Sequence, residues 1–336
     1  MTLRHLVLTA LLLLAAQGQA TPIVKNLREP LSQAEQALAV RDYAGARQAY
    51  AQHAATNPLA QFSLGVFERE GWGRPADPVA ACAWFGKAAQ GHIPAAQQFL
   101  GDCLARGIGR AVDGPAALRW YRKAAAAGLA YAGCSAGELL IAGKIVPQDV
   151  AQGLALCTTA AQAESTPAML RLADLYRAGG QVPPNARLAR FWYEQAAQRH
   201  QHEAQFRLGV MLSEGEGGDA DPAQARFWLE HAASEGYAPA YLATAILYAN
   251  AAPDAQTGAL AAGDLARVYM WNRAARASTH HPAQLAEIAR IDTLVAAVMP
   301  ARWQPELDRR VADHLARFSQ SPTPQSPTPH PPGTDQ

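Results

Sequence analysis

The sequence predicts an all-α protein built as a solenoid of antiparallel helix pairs, and three sets of recurring residues predict it. Gly65, Gly101, Gly137, Ala173 and Gly209 stand 36 residues apart, as do Gly71, Gly107, Gly143, Gly179 and Gly215. The alanine pairs Ala88-Ala89, Ala124-Ala125, Ala160-Ala161, Ala196-Ala197 and Ala232-Ala233 keep the same interval. So do Trp84, Trp120, Leu156, Trp192 and Trp228. A fixed period of this size marks supersecondary units that cannot bury their apolar faces singly and therefore stack.

From the start of the chain, Arg4 and His5 precede an apolar run, Leu6–Ala16, which leads to Gly18-Gln19-Ala20. The run is too short to span a bilayer, and its flanks are those of a secretory signal, so residues 1–20 are expected to be cleaved before Thr21. No cysteine stands directly after the run, which argues against a lipid anchor. Export predicts a periplasmic or secreted protein with no integral membrane segment after cleavage, and it permits disulfides among the four cysteines. With 29 basic and 28 acidic residues the chain carries a formal charge of +1, which excludes a nucleic-acid footprint or a polybasic membrane patch. About half of the residues are hydrophobic (49%), enough for a sizeable core.

Residues 21–57 read as an N-terminal cap with one degenerate unit, in which Tyr50 and Ala54-Ala55 fall at an interval of 34. Residues 58–277 read as six units. In each, a first helix carries the small-residue column, where a glycine costs about 1 kcal/mol against alanine and is explained by the close approach of a neighbouring helix. The second glycine column fits the left-handed residue that ends that helix. Ala76-Asp77-Pro78, Asp113-Gly114-Pro115 and Asp221-Pro222 then supply N-cap and first-turn signals for a second helix bearing the aromatic pair and Ala-Ala. The third copy has Leu156-Cys157 in place of that aromatic pair. The sixth runs from Ala238 to Ala277 with Ala245 in the glycine column, and an insertion at 251–263 delays its Ala274-Ala275. Residues 278–319 are expected to supply two capping helices, Gln284–Val298 and Pro305–Phe318, over the last apolar edge. The stretch 320–336 is Pro-rich and reads as a disordered tail, either a spacer or partner-binding segment or a solvated end.

With Leu-Gly, the glycine cap, Trp-Tyr and Ala-Ala in this order, the chain resembles the Sel1-like repeat family, relatives of the tetratricopeptide repeats. The resemblance implies a right-handed superhelix that binds or organises other proteins, with the first helix of each copy lining the inner surface. On that face Asp102, Glu138, Arg171, Asp174, Arg177 and Arg207 are expected to be exposed and to contact a protein or peptide partner of the cell envelope. A row of charges on a helix can also be no more than a solvated face.

No catalytic constellation is present. Gly-x-Ser-x-Gly, His-Glu-x-x-His and a phosphate loop with its lysine are all missing, and Gly215-Glu216-Gly217-Gly218 occupies an ordinary inter-helix position. His200-Gln201-His202 and His280-His281 have no identifiable third metal ligand, so they read as turn histidines. The aromatic columns keep the repeat register, which points to core packing rather than a ligand box. The chain is therefore expected to be a non-catalytic, monomeric scaffold without cofactor or metal. The alternative is an exported enzyme or a cell-wall-active protein acting on a β-lactam-like substrate.

Cys82 and Cys103 lie equally far from a turn near His92-Ile93, and Cys134 and Cys157 bracket a turn near Ile145-Val146. This mirror placement favours bridges Cys82–Cys103 and Cys134–Cys157. Four reduced thiols packed as small hydrophobes are the other reading.

Overall fold

In the computed structural model, residues 26–319 are described, except 254, 256 and 257. The expected signal at 1–20 and the tail at 320–336 lie outside the described residues. Within them the architecture is the all-α solenoid of helix pairs, with no strand. Helices α1 (Ser32–Ala39) and α2 (Tyr43–His53) precede the repeats. Six pairs follow: α3 (Pro58–Glu70) and α4 (Pro78–Gln90), α5 (Pro94–Arg106) and α6 (Gly114–Ala126), α7 (Ala130–Ala142) and α8 (Val150–Gln162), α9 (Thr166–Ala178) and α10 (Ala186–Ala197), α11 (His202–Glu214) and α12 (Pro222–Ser234), α13 (Pro239–Ala249) and α14 (Ala262–Ser278). Two helices, α15 (Pro282–Val298) and α16 (Gln304–Ser319), close the array. They bury Ile288, Ile291, Val295 and Leu307 against the sixth pair, as a cap on an apolar edge must.

The local chemistry repeats with the period. The second helices of the first five pairs start at a side-chain cap: Asp77, Asp113, Asp149, Asn185 and Asp221 accept hydrogen bonds from first-turn backbone N–H groups. These five positions are also 36 apart, and such caps contribute about 1 kcal/mol each. First helices end on left-handed glycines at Gly71, Gly107, Gly143 and Gly215. Gly179 keeps a positive φ of 73° but has ψ of −145°, so the fourth copy leaves its first helix by a different path.

The small-residue column marks close helix contact. A Cβ on Gly65 would lie 2.6 Å from the Phe85 ring, one on Gly101 2.5 Å from the Tyr121 ring, and one on Gly209 2.6 Å from Leu229. In the third copy the obstacle is main chain. A Cβ on Gly137 would lie 2.4 Å from the Gly153 carbonyl oxygen, and one on Gly153 2.6 Å from that of Gly137. With Cys157 replacing an aromatic and Gly153 replacing an alanine, α7 and α8 settle backbone to backbone.

Both mirror-placed cysteine pairs are disulfides. Cys82–Cys103 joins α4 to α5, and so copy one to copy two, with Cα atoms 5.9 Å apart. Cys134–Cys157 joins the helices of copy three, with Cα atoms 3.9 Å apart. At the N-terminal end the buried Glu68 is ion-paired with Arg47 and Arg74, tying α2 to α3. Burial alone pushes its carboxyl up, but hydrogen bonds from Arg74 and Arg47 outweigh that and hold it below the usual glutamate range.

Candidate functional site

The six charged residues of the expected binding row all lie on first helices: Asp102 on α5, Glu138 on α7, Arg171, Asp174 and Arg177 on α9, and Arg207 on α11. Asp102, Glu138 and Asp174 occupy one column of the period, and Arg171 and Arg207 occupy another. The row is less open than the sequence suggests. Only Arg171 is exposed and the other five are half-buried, which corrects the expectation of six exposed side chains. The cause is a set of partners that helix assignment alone does not reveal.

Tyr121, on the second helix of its own copy, donates to Asp102 Oδ1 at 2.7 Å, and Tyr193 does the same to Asp174 Oδ1 at 2.5 Å. Gln98 donates both to Asp102, at 3.1 Å, and to Ser135 Oγ on α7, at 3.0 Å. Arg171 reaches back to Glu138 at 3.7 Å, and Arg207 reaches back to Asp174 at 3.6 Å while holding Glu203 at 2.7 Å. Arg177 pairs with Glu216, in the loop after α11, at 2.9 Å. Polar contacts therefore run from first helix to first helix through α5, α7, α9 and α11.

Glu138 is the exception within its column. The tyrosine that serves Asp102 and Asp174 comes from a position 19 residues further on, and at that distance from Glu138 stands Cys157, already bridged to Cys134. Burial pushes the Glu138 carboxyl above the usual glutamate range, Arg171 opposes the shift, and the like charges of Asp174 and Asp102 add to it. The side chain remains 35% accessible, so Glu138 can be reached from solvent. Asp102 is also pushed up by burial, against hydrogen bonds from Tyr121 and Gln98. Tyr237 borders the same face near Glu203 and Arg207, and burial raises its phenol to about 12.

The face offers paired charges and tyrosine hydroxyls with no nucleophile–base arrangement. Among the described residues no group of three His, Cys, Asp or Glu side chains has the spacing to hold a metal ion. His202 Nδ1 lies 3.3 Å from Gln205 Oε1, and the His200 ring lies 6.0 Å from that of His231. No helix among the described residues is long and apolar enough to cross a membrane.

A solved structure of a Sel1 repeat protein from Oxalobacter formigenes is 25% identical to the chain, with a TM-score of 0.58 over 74% of this chain and all of that one. A protective antigen of uropathogenic Escherichia coli displaying an SLR fold is 21% identical, with a TM-score of 0.61 over 98% of this chain and 69% of that one, and it bears on the fold alone. No curated protein matches the chain. Proteins with Sel1 repeats are generally protein-interaction scaffolds. The Sel1 repeat model matches residues 58–92, 94–129, 131–165, 166–200 and 202–237, the first five helix pairs, and the chain belongs to the Sel1 repeat family.

Proposed function

We propose that the protein is a monomeric, non-catalytic scaffold of the periplasm that holds a protein or peptide partner on its first-helix face, through Asp102, Glu138, Arg171, Asp174, Arg177 and Arg207. The observation that carries this reading is the chain of first-helix contacts from Gln98–Ser135 through Glu138–Arg171 to Asp174–Arg207. Side chains already fixed by neighbours lose little freedom when a ligand arrives, which favours binding. Glu138 is partly accessible and has Cys157 where its column elsewhere has a tyrosine, so a ligand donor gains most there. Two disulfides in the first three copies support an oxidising compartment.

The test is affinity capture from envelope extract with the wild type and with a charge-reversed Glu138→Arg/Arg171→Glu variant, with the bound proteins identified by mass spectrometry. A partner enriched by the wild type and lost from the variant is expected. Equal enrichment by both would overturn the assignment of this face. N-terminal sequencing of the exported form checks cleavage after Ala20.

A further inference from the structure

The second helices of copies four and five differ from those of the earlier copies on their outward side. In copies one and two, Lys87 lies over the Trp84 ring at 4.2 Å and Lys123 over the Trp120 ring at 4.4 Å. In the same column the lysine gives way to Gln195 in copy four and His231 in copy five. At the position before the tryptophan, Ala83, Arg119 and Ala155 give way to Phe191 and Phe227. Phe191 is 46% and Phe227 55% exposed. Each packs edge-to-face on its tryptophan, with centroids 5.0 Å apart for Phe191–Trp192 and 4.9 Å for Phe227–Trp228. The result is a ridge of two aromatic pairs, one repeat apart, without the lysine cover that shields the equivalent rings elsewhere.

The last helix, α16, ends near α12. Phe318, in the last turn of α16, lies on Gly236, where an added Cβ would come 2.4 Å from its ring. Gly236 follows α12, the helix that carries Phe227 and Trp228. Phe227 stands seven residues before the end of α12 at Ser234, about 10 Å at 1.5 Å per residue, and the other aromatic pair lies one repeat further along the array. Residues 320–336 read QSPTPQSPTPHPPGTDQ. In the extended polyproline form they reach roughly 50 Å at about 3.1 Å per residue. They contain two Pro-x-x-Pro units, Pro324–Pro327 and Pro329–Pro332, for two aromatic pairs, and Asp335 is their one acidic side chain. A nearly uncharged proline-rich segment matches an aromatic ridge, as in polyproline recognition, and does not match the charged first-helix face.

We propose that the chain's own segment 320–336 docks across the Phe191/Trp192 and Phe227/Trp228 ridge. A short tether gives an effective concentration in the millimolar range, so a contact with a Kd of ~1 mM is already about half occupied. The proposal is independent of the partner face.

The experiment is paramagnetic relaxation on the full chain, spin-labelled at Ser326→Cys with both disulfides intact. The expected result is a roughly twofold or greater loss of the Trp192 and Trp228 indole N–H signals relative to Trp84 and Trp120, as a half-occupied tethered contact requires. The loss should persist on dilution with unlabelled protein and disappear in Phe191→Ala/Phe227→Ala. If that variant folds poorly, Pro324→Ala/Pro327→Ala/Pro332→Ala, outside the repeats, must abolish the loss instead. Equal signals at all four tryptophans, attenuation confined to the first-helix face, or a loss that vanishes on dilution because a second copy supplies the tail would each overturn the proposal.

Discussion

Gly137→Ala is the sharpest test of how the third copy is held. The added methyl carbon would sit 2.4 Å from the Gly153 carbonyl oxygen and 3.1 Å from Cys157 Sγ. Relief requires α7 and α8 to part by roughly 1 Å, which forfeits a quarter to a half of each affected dispersion contact. The Cys134–Cys157 bridge, one turn from Gly137, opposes that movement. Overpacking of this kind costs about 1–3 kcal/mol, and the backbone obstacle puts this case at the upper end. Alanine's helix propensity offsets about 1 kcal/mol of that. The net loss is then about 2 kcal/mol, or roughly 3 °C in melting temperature for a chain of this size. Gly101→Ala is the control, because its obstacle is the Tyr121 ring, which can slide. The fourth copy supports that choice, since Ala173 stands in the column opposite Tyr193. Urea unfolding of the oxidised variants, followed by far-UV circular dichroism, compares the two. In a Cys134→Ser/Cys157→Ser background the Gly137→Ala penalty should shrink, a coupling typical of residues in contact. Equal penalties at Gly101 and Gly137 would refute backbone-limited packing.

Asp102→Asn keeps the Oδ1 that accepts from Tyr121 and Gln98 while removing a carboxylate whose ionised form burial disfavours. Because the folded-state pKa is raised, the variant should be more stable than wild type at neutral pH, with the advantage lost as pH falls through that raised pKa; thermal melts across pH check it. Arg47→Ala/Arg74→Ala leaves the buried Glu68 without cations and should cost about 3 kcal/mol or more by denaturant titration. His92, exposed and at φ of 61°, holds a conformation that costs a non-glycine residue about 1–2 kcal/mol, so His92→Gly should raise stability by up to about 1 kcal/mol in the same titration.

The period made most of the architecture legible, since residues that meet the same neighbours in every copy must satisfy the same steric demand. Gly101 and Gly143 declared a close approach and a helix stop in this way. The cysteine pairs were legible because an antiparallel hairpin places positions equidistant from its turn side by side. Two cap residues were visible in register but hidden by identity: Asp149 and Asn185 lack the proline that directly follows Asp77 and Asp221. The left-handed turn column runs through His92, Gly128, Glu164, His200 and Gly236. Three of these five are not glycine, so residue type gave no signal there. The half-burial of the charged row was not legible, because it depends on how Tyr121 and Tyr193 are rotated toward Asp102 and Asp174. Rotation about a helix axis is set by packing, not by spacing.

Both bridges fall in the first three copies, and α9 to α16 are held to one another by packing and polar contacts alone. Each repeat of such an array contacts only its neighbours, so the junction between copies one and two is covalently stapled, whereas every later junction is closed by packing and polar contacts. Among those later junctions, copies four and five are tied by the Asp174–Arg207 and Arg177–Glu216 ion pairs. A ligand gripping Glu138 and Arg207 together would span copies three to five and clamp two junctions that no disulfide holds.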